Sequence, residues 1–254
     1  MIVHSLPSLS LRGKALLPIV QGGMGVGISA HRLAGAVAAE GGIGTIASVD
    51  LRRLHKDLME RTANATRELV EQANLEALDR EIKAALDKAK GAGIVAVNVM
   101  RAVSQYADMV RQACQSGAQA IVVGAGLPLD LPELAHEFKD VALIPILSDA
   151  RGVSLVVKRW MRKNRLPDAI VLEHPGWAGG HLGAANLVET SNQRFDMETV
   201  LPECHAALEK LGLRRGEIPL IPAGGISSLA RIKELIGLGA SGVQIGTPFA
   251  CTEE

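Results

Sequence analysis

Four stretches decide the fold: "AAEGGIGTIAS" at 38–48, "AKGAGIVAVNV" at 89–99, "CQSGAQAIVVGAG" at 114–126 and "IGLGASGVQIGT" at 236–247. Each begins where a helical pattern ends. A glycine follows, the residue that closes a helix in the left-handed conformation without steric cost. One or two small residues come next, and then a short, mostly apolar run. Runs that are apolar on both faces suit strands buried on both sides of a parallel sheet.

Working outward from these stretches gives a regular alternation. Strands are expected near 16–21, 42–47, 93–98, 119–124, 142–147, 168–173, 218–222 and 241–246. Helices are expected near 29–40, 70–90, 104–116, 130–138, 151–164, 196–212 and 227–237. Strand–helix alternation implies right-handed crossovers and a parallel sheet. Eight such strands point to an α/β fold of the (β/α)8 or TIM-barrel type, which takes roughly 250 residues. A doubly wound open sheet is the rival. The expectation is one domain over 1–254 with eight parallel strands. The chain reaches "FACTEE" directly after the eighth strand, so either it is a fragment lacking the final helix and a C-terminal cover, the favoured reading, or something else covers that flank. The charged, helix-prone segment 49–75 reads as a helical insertion, either solvated or serving as a lid or oligomer contact at the barrel mouth.

Hydrophobic residues make up 48% of the 254, but aromatics only 2%, so the core is built from Ala, Val, Leu and Ile. Lys+Arg and Asp+Glu are both 27, and a formal net charge of zero argues against a nucleic-acid binder. Cys114, Cys204 and Cys251 are scattered without metal-like spacing. They suggest a reducing, cytoplasmic setting without a disulfide framework. The stretch "MIVHSLPSLSLRGK" holds no signal-peptide run. No segment approaches the roughly 20 apolar residues of a membrane span.

In a TIM barrel the active site is built from the loops that follow the strands. After the first strand, "QGGMGVG" (21–27) invites a planar group close to the backbone, or is a flexible turn. The third strand ends in Asn98, whose amide could meet a heterocycle or serve the fold. After the fifth come Ser148 and Asp149, of which at least one is expected to cap a helix. After the sixth, Glu173 leads into "HPGWAGGHLGA" (174–184). After the seventh comes "PAGGIS" (222–227), with Ala223, Gly224 and Gly225. After the eighth comes "IGTPF" (245–249), with Gly246 and Thr247. Paired glycines followed directly by a helix free amide N–H groups for one anion. The seventh and eighth loops are also the usual phosphate position of such barrels. These loops hold no lysine, which argues against pyridoxal phosphate, and no acidic cluster suggests a metal. Flavin mononucleotide (FMN), with one phosphate and one large flat ring, fits better.

Together, "PIVQGGMG", "AGGHLGA", "PAGGI" and "GASGVQIGT" resemble the nitronate monooxygenase, or 2-nitropropane dioxygenase-like, family, which is related to FMN-dependent enoyl-ACP reductases. The resemblance covers about residues 16–250. It implies an FMN-binding barrel in which Gln21, Gly22, Gly23 and Met24 pass along the isoalloxazine ring and Asn98 contacts the flavin. Gly179 and Gly180 lie near the ring and ribityl chain on the same reading. Gly224, Gly225, Gly246 and Thr247 fall on the phosphate loops, and Glu173, Ala223 and Gln244 are counted with the cofactor-binding residues. His181 matches the catalytic histidine of the "GGH" motif. Three departures stand out, the first being that the insertion around 49–75 is longer than in common members. The family's further C-terminal segments are absent, and "EHPGW" replaces a shorter loop, adding His174, assigned to structure or solvent, and Trp177.

The chemistry expected is oxidation of alkyl nitronates or nitroalkanes with O2, His181 acting as base or anion holder. One alternative is NAD(P)H-dependent reduction of enoyl thioesters or quinones, for which "VKRWMRKNR" (157–165) could dock an acidic carrier protein or be a solvated helix exterior. Another is a flavin-binding fragment without turnover. Partners are then a small-molecule substrate, O2 and, on the reductase route, NAD(P)H. A homodimer is compatible with the sequence, whereas neither nucleic acid nor a membrane is indicated.

Overall fold

The structure, a computed structural model, describes residues 6–178 and 186–252. The helix stops read from the sequence organise it. Gly41, Gly91, Gly117 and Gly239 all take positive φ (+87°, +76°, +93° and +106°). At three of the stops the residue after the glycine, the third past the helix, folds back onto it. Gly42 N–H donates to Val37 O (3.1 Å), Ala118 N–H to Ala113 O (3.0 Å) and Ala240 N–H to Leu235 O (3.0 Å). This is the Schellman pattern, and it satisfies carbonyls that the helix leaves open. Each chain reversal then delivers its strand to the barrel at a fixed point.

The barrel is closed. Its strands are β3 (Ile19–Gln21), β4 (Ile43–Ala47), β5 (Ile94–Met100), β6 (Ala120–Gly124), β7 (Ala142–Leu147), β8 (Ile170–Glu173), β9 (Leu220–Ala223) and β10 (Val243–Ile245). They pair in parallel in chain order, and β10 closes on β3 with Gln244 opposite Val20. The main outer helices are α1 (His31–Ala39), α3 (Arg67–Ala89), α4 (Tyr106–Gln115), α6 (Ala150–Met161), α7 (Met197–Glu209) and α8 (Leu229–Gly237). Between β6 and β7 the helix expected over 130–138 is only one turn, α5 (Leu131–Leu134). Residues Leu51–Leu54 form a 3-10 turn and Lys56–Arg61 form α2. The helix expected from residue 70 begins earlier, at Arg67.

The expected first strand, 16–21, is divided. An antiparallel hairpin of β1 (Leu9–Leu11) and β2 (Lys14–Leu16) turns through Arg12 and Gly13, both at positive φ (+49° and +78°), as a two-residue hairpin loop requires. Pro18, which has no amide N–H to give a ladder, separates the hairpin from the barrel strand. Leu9, Leu11 and Leu16 join the barrel interior, packing with Val20, Ile43, Ile94 and Ala120. They plug the end opposite the site. The outward strand residues Val95, Val97, Ile121, Val123, Leu143 and Leu172 pack instead under the helices.

The helix α1 lies very close to the barrel. A Cβ on Gly44 would sit 1.8 Å from Ala34 O, and one on Gly93 would sit 2.2 Å from Gly42 O and 2.4 Å from Ala38 O. Gly44→Ala therefore forces α1 off the sheet and should cost about 3 kcal/mol or more, the upper end for overpacking. Gly91→Ala meets nothing within 4 Å and strains only φ, at about 1–2 kcal/mol. Thermal unfolding of the two variants should differ accordingly, and equal losses would refute the close-packing account.

Candidate active site

Strand parity selects which side chains enter the mouth of the barrel. On β5 the buried Ile94 and Ala96 face inward, so Asn98 continues that row at the strand's carboxyl end. On β8, Val171 places Glu173 inward, and on β9, Ile221 places Ala223 inward. In the ladder, Gln244 stands opposite Ala223 and Glu173 opposite Ala223 on the other side. The inward ends of β5, β8, β9 and β10 thus converge on one space.

That space is a cavity of about 760 Å3, lined by Gly22, Gly23, Met24, Asn98, Glu173, Ala223, Gly224, Gly225, Gln244, Gly246 and Thr247. Its size falls within the ~300–1,000 Å3 of small-molecule sites. Gln21 does not line it. Its side chain is fully buried: Nε2 donates to Ser29 Oγ (2.8 Å) and to Gly22 O, while Oε1 accepts from Thr45 N–H (2.8 Å). Gln21 is a brace beneath the loop. His181, Gly179 and Gly180 lie outside the described residues.

The loop after β3 is folded around Ser29, which sequence reasoning passed over. Ser29 Oγ accepts from Met24 N–H (2.8 Å) and donates to Gly22 O (3.2 Å), and Ser29 N–H donates to Met24 O (2.9 Å). Gly22 and Gly23 are pressed onto side chains of the mouth. A Cβ on Gly22 would meet Gln244 Cγ at 3.3 Å, and one on Gly23 would meet Asn98 Cβ at 2.6 Å. A flat backbone ledge results.

On the opposite wall Gly224 and Gly225 both take positive φ (+103° and +69°). The turn runs through Ile226 and Ser227 into α8, whose Ser228 side chain caps it by accepting from Arg231 N–H (3.2 Å). Among the described residues nothing accepts from the amide N–H groups of Gly225, Ile226 or Ser227. Behind this turn stands His174, buried, whose Nδ1 accepts from Gly176 N–H (3.1 Å) and whose Nε2 lies 3.6 Å from Asp196 Oδ1. His174 N–H donates to Ala223 O (3.0 Å), and His174 O accepts from Trp177 N–H (3.0 Å). His174 thus ties the sixth loop to the seventh. Trp177, 71% exposed, covers the Gly224 edge of the cavity. Asp149 caps α6 by accepting from Gly152 N–H (2.8 Å), and Ser148 is buried beside it.

The lining fits a flat phosphate monoester. The glycine ledge leaves room for a ring, and the three residues whose amides have no acceptor among the described residues line the same space at the positive end of a nine-residue helix. Among the described lining residues the ionisable side chains are Glu173 and Cys251, and none is cationic. A phosphate here would be held by main-chain donors. Pro248 of the "IGTPF" stretch also lines the cavity, as do Ile146 and Cys251, which no sequence motif marked. Among the described residues no cluster of His, Cys, Asp or Glu is placed to hold a metal ion, and no helix is long and apolar enough to cross a membrane.

The nitronate monooxygenase family profile matches residues 10–254. The chain belongs to this family. It is 30% identical over 249 residues to a probable nitronate monooxygenase of Bacillus subtilis, covering 93% of this chain and 66% of that one. A second relative, at 25% identity over 97% of this chain and 92% of its own, is a Methanosarcina acetivorans isomerase whose named substrate carries phosphoribosyl groups. Among solved structures, FabK of Thermotoga maritima (M276A mutant) superposes with a TM-score of 0.64 at 21% identity, covering 91% of this chain and 62% of that one. Nitroalkane oxidase of Streptomyces ansochromogenes gives 0.64 at 16% identity, covering 91% and 65%. These two show the shared barrel. The chain thus spans just under two thirds of the Bacillus family member and of both solved structures.

Ser29→Ala removes the hydroxyl that closes the loop after β3 and leaves Met24 N–H without its acceptor. A loss of about 1–3 kcal/mol in stability is expected, with Ser29→Thr recovering part of it. Chemical denaturation measures both, and an unchanged midpoint for the alanine variant would refute the bracing role.

Proposed function

We propose that the protein is an FMN-dependent oxidoreductase that oxidises alkyl nitronates, and nitroalkanes once deprotonated, with O2. Family membership over residues 10–254 supports the reaction class. The observation that carries the cofactor is the pair Gly224–Gly225, where the amides from Gly225 to Ser227 lack acceptors among the described residues, on the wall of a cavity with a glycine ledge. Bound FMN would supply the electron acceptor and, with O2, complete the oxidation.

The chain's own residues do the rest. The N–H groups of Gly225, Ile226 and Ser227 would hold the phosphate with the positive end of α8, helped by Gly246 and the Thr247 hydroxyl. The backbone of Gly22, Gly23 and Met24 would receive the ring, and Gln21 and Ser29 brace that loop. Asn98 and Gln244 offer amide donors and acceptors to the ring edge. Glu173 keeps the far wall polar. His181, in the glycine-rich stretch after β8, takes the proton from the carbon of a neutral nitroalkane or holds the nitronate oxygens. The substrate is small and enters at the strand ends, beside Trp177.

Anaerobic mixing of the flavin-loaded protein with propyl nitronate should bleach the flavin absorbance. Bleaching by NADPH or NADH, with no response to nitronate, would overturn the assignment in favour of a reductase. Gly225→Asp should lose most bound FMN while keeping the fold. Aspartate is among the L-residues that best tolerate the left-handed region, and a Cβ here meets only Trp177 Cγ at 3.5 Å. Gly225→Asn, without the charge, should retain clearly more FMN. Equal retention in both would refute a phosphate at this turn.

His181→Ala should keep its FMN content and thermal stability, while turnover falls by about 10²–10⁴-fold. The loss should be greater with the neutral nitroalkane than with the preformed nitronate. Loss of FMN in this variant would instead make His181 a cofactor ligand.

A further inference from the structure

The basic run 157–165 takes no part in the mouth of the barrel. It places Lys158, Arg159, Arg162, Lys163 and Arg165 within eight positions of a chain whose formal charge is zero. The structure divides them by task. Arg165 is structural, bonded to Asp168 (2.6 Å) and Val141 O (3.2 Å). Lys163 Nζ donates to Leu129 O (2.5 Å) and pairs with Glu133. On the opposite face of α6, Trp160 is fully buried and its Nε1 donates to Pro128 O (3.0 Å). These two bonds pin the segment 127–130 onto the end of α6.

Between them lies a cleft of about 490 Å3 on the barrel flank, lined by Arg101, Arg159, Arg162, Lys163, Asp130 and two leucines. Asp130 pairs with Arg101 (3.2 Å), and the Arg101 guanidinium rests 4.7 Å over the Tyr106 ring. Two cations are thereby fixed in place. Arg159 and Arg162 are exposed and have no acidic or hydrogen-bonding partner among the described residues. Arg101 and Lys163 are already paired with Asp130 and Glu133, so Arg159 and Arg162 are the two charges of the cleft left uncompensated among the described residues, and an anion joining them removes their mutual repulsion. Planar guanidinium groups match phosphate oxygens two at a time. Leu127, 42% exposed, and Leu129 add apolar surface to the same cleft.

We propose that this flank cleft binds a small organic diphosphate of the nucleoside diphosphate type. The cations meet the phosphates, and Leu127 with Leu129 meets the non-polar part. The volume suits a small molecule, and in a chain whose formal net charge is zero the positive charge is gathered in a cleft rather than spread as a stripe for a polyanion. The site is separate from the FMN cavity and does not depend on the function proposed for it.

The test is calorimetric titration of the full chain with ADP and with inorganic pyrophosphate at low salt. The variants are Arg159→Ala/Arg162→Ala, whose two positions are both exposed, and Gly225→Asp as a control for phosphate entering the mouth. The proposal expects wild-type binding of both probes, ADP the tighter, preserved in Gly225→Asp. It expects binding weakened at least about tenfold in the double variant, with an unchanged melting temperature. No binding by the wild type, equal binding by the double variant, or loss in Gly225→Asp alone overturns it. So does binding of a poly-glutamate peptide at the cleft that ADP fails to displace.

Discussion

The closeness of α1 to the barrel sets the geometry of the barrel mouth. Gly44 and Gly93 leave no room for a side chain, so the backbone of α1 lies almost on the strands. That contact places the first turn of α1, and with it Ser29, whose carbonyl accepts from Ala47 N–H (3.0 Å) and whose hydroxyl gathers residues 22–24. The same turn presents His31 to Glu81 of α3. Glu81, almost fully buried, accepts from His31 N–H (2.7 Å) and lies 2.7 Å from its Nδ1 and 3.1 Å from His55 Nε2. A buried carboxylate left without such partners would be strongly destabilising. One glycine contact therefore fixes α1, and one carboxylate carries that position on to the segment between β4 and α3.

The two phosphate-suited places use opposite physics. At the mouth, open amides and a helix end offer fixed partial charges at low cost in side-chain entropy, and no cation lines the described wall. On the flank, full charges on long side chains are gathered, two already held by acids and a ring. A dipole cradle sets the position of an anion within a narrow space. A cluster of arginines attracts one over a longer range, in a salt-dependent way. The first arrangement suits a resident group and the second an exchanging one.

Much of this was legible in the sequence because glycine carries information that side chains do not. The four helix stops, the ledge after the first strand and the turn after the seventh were all visible as glycines, and each takes a conformation or a contact that favours glycine. Asn98 was readable as the polar residue near the end of an apolar strand, and the strand's parity in the structure puts it inward. The N-terminal hairpin was not readable. Its strands are three residues each, and its three inward leucines gain their meaning only from the open barrel end they fill. Gln21 was assigned to the ring and Ser29 was passed over for a related reason. Both flank the glycine ledge, but only the three-dimensional path shows Gln21 spending its amide on Ser29, Gly22 and Thr45.

A site assembled from backbone also separates two properties that side-chain sites join. The ledge at 22–24 and the turn at 224–227 present main-chain atoms, so most substitutions among their neighbours leave the donors in place. The side chains that face the remaining space, among them Met24, Ile146, Trp177 and Pro248, are largely apolar and come from four different loops or strands. They can change one at a time without moving the cradle, because the cradle is anchored from behind by Ser29, His174 and the cap of α8. Retention of the bound group and choice of what reaches it are therefore governed by different atoms. This is the physical reason a glycine signature identifies the family of this chain while saying little about its substrate.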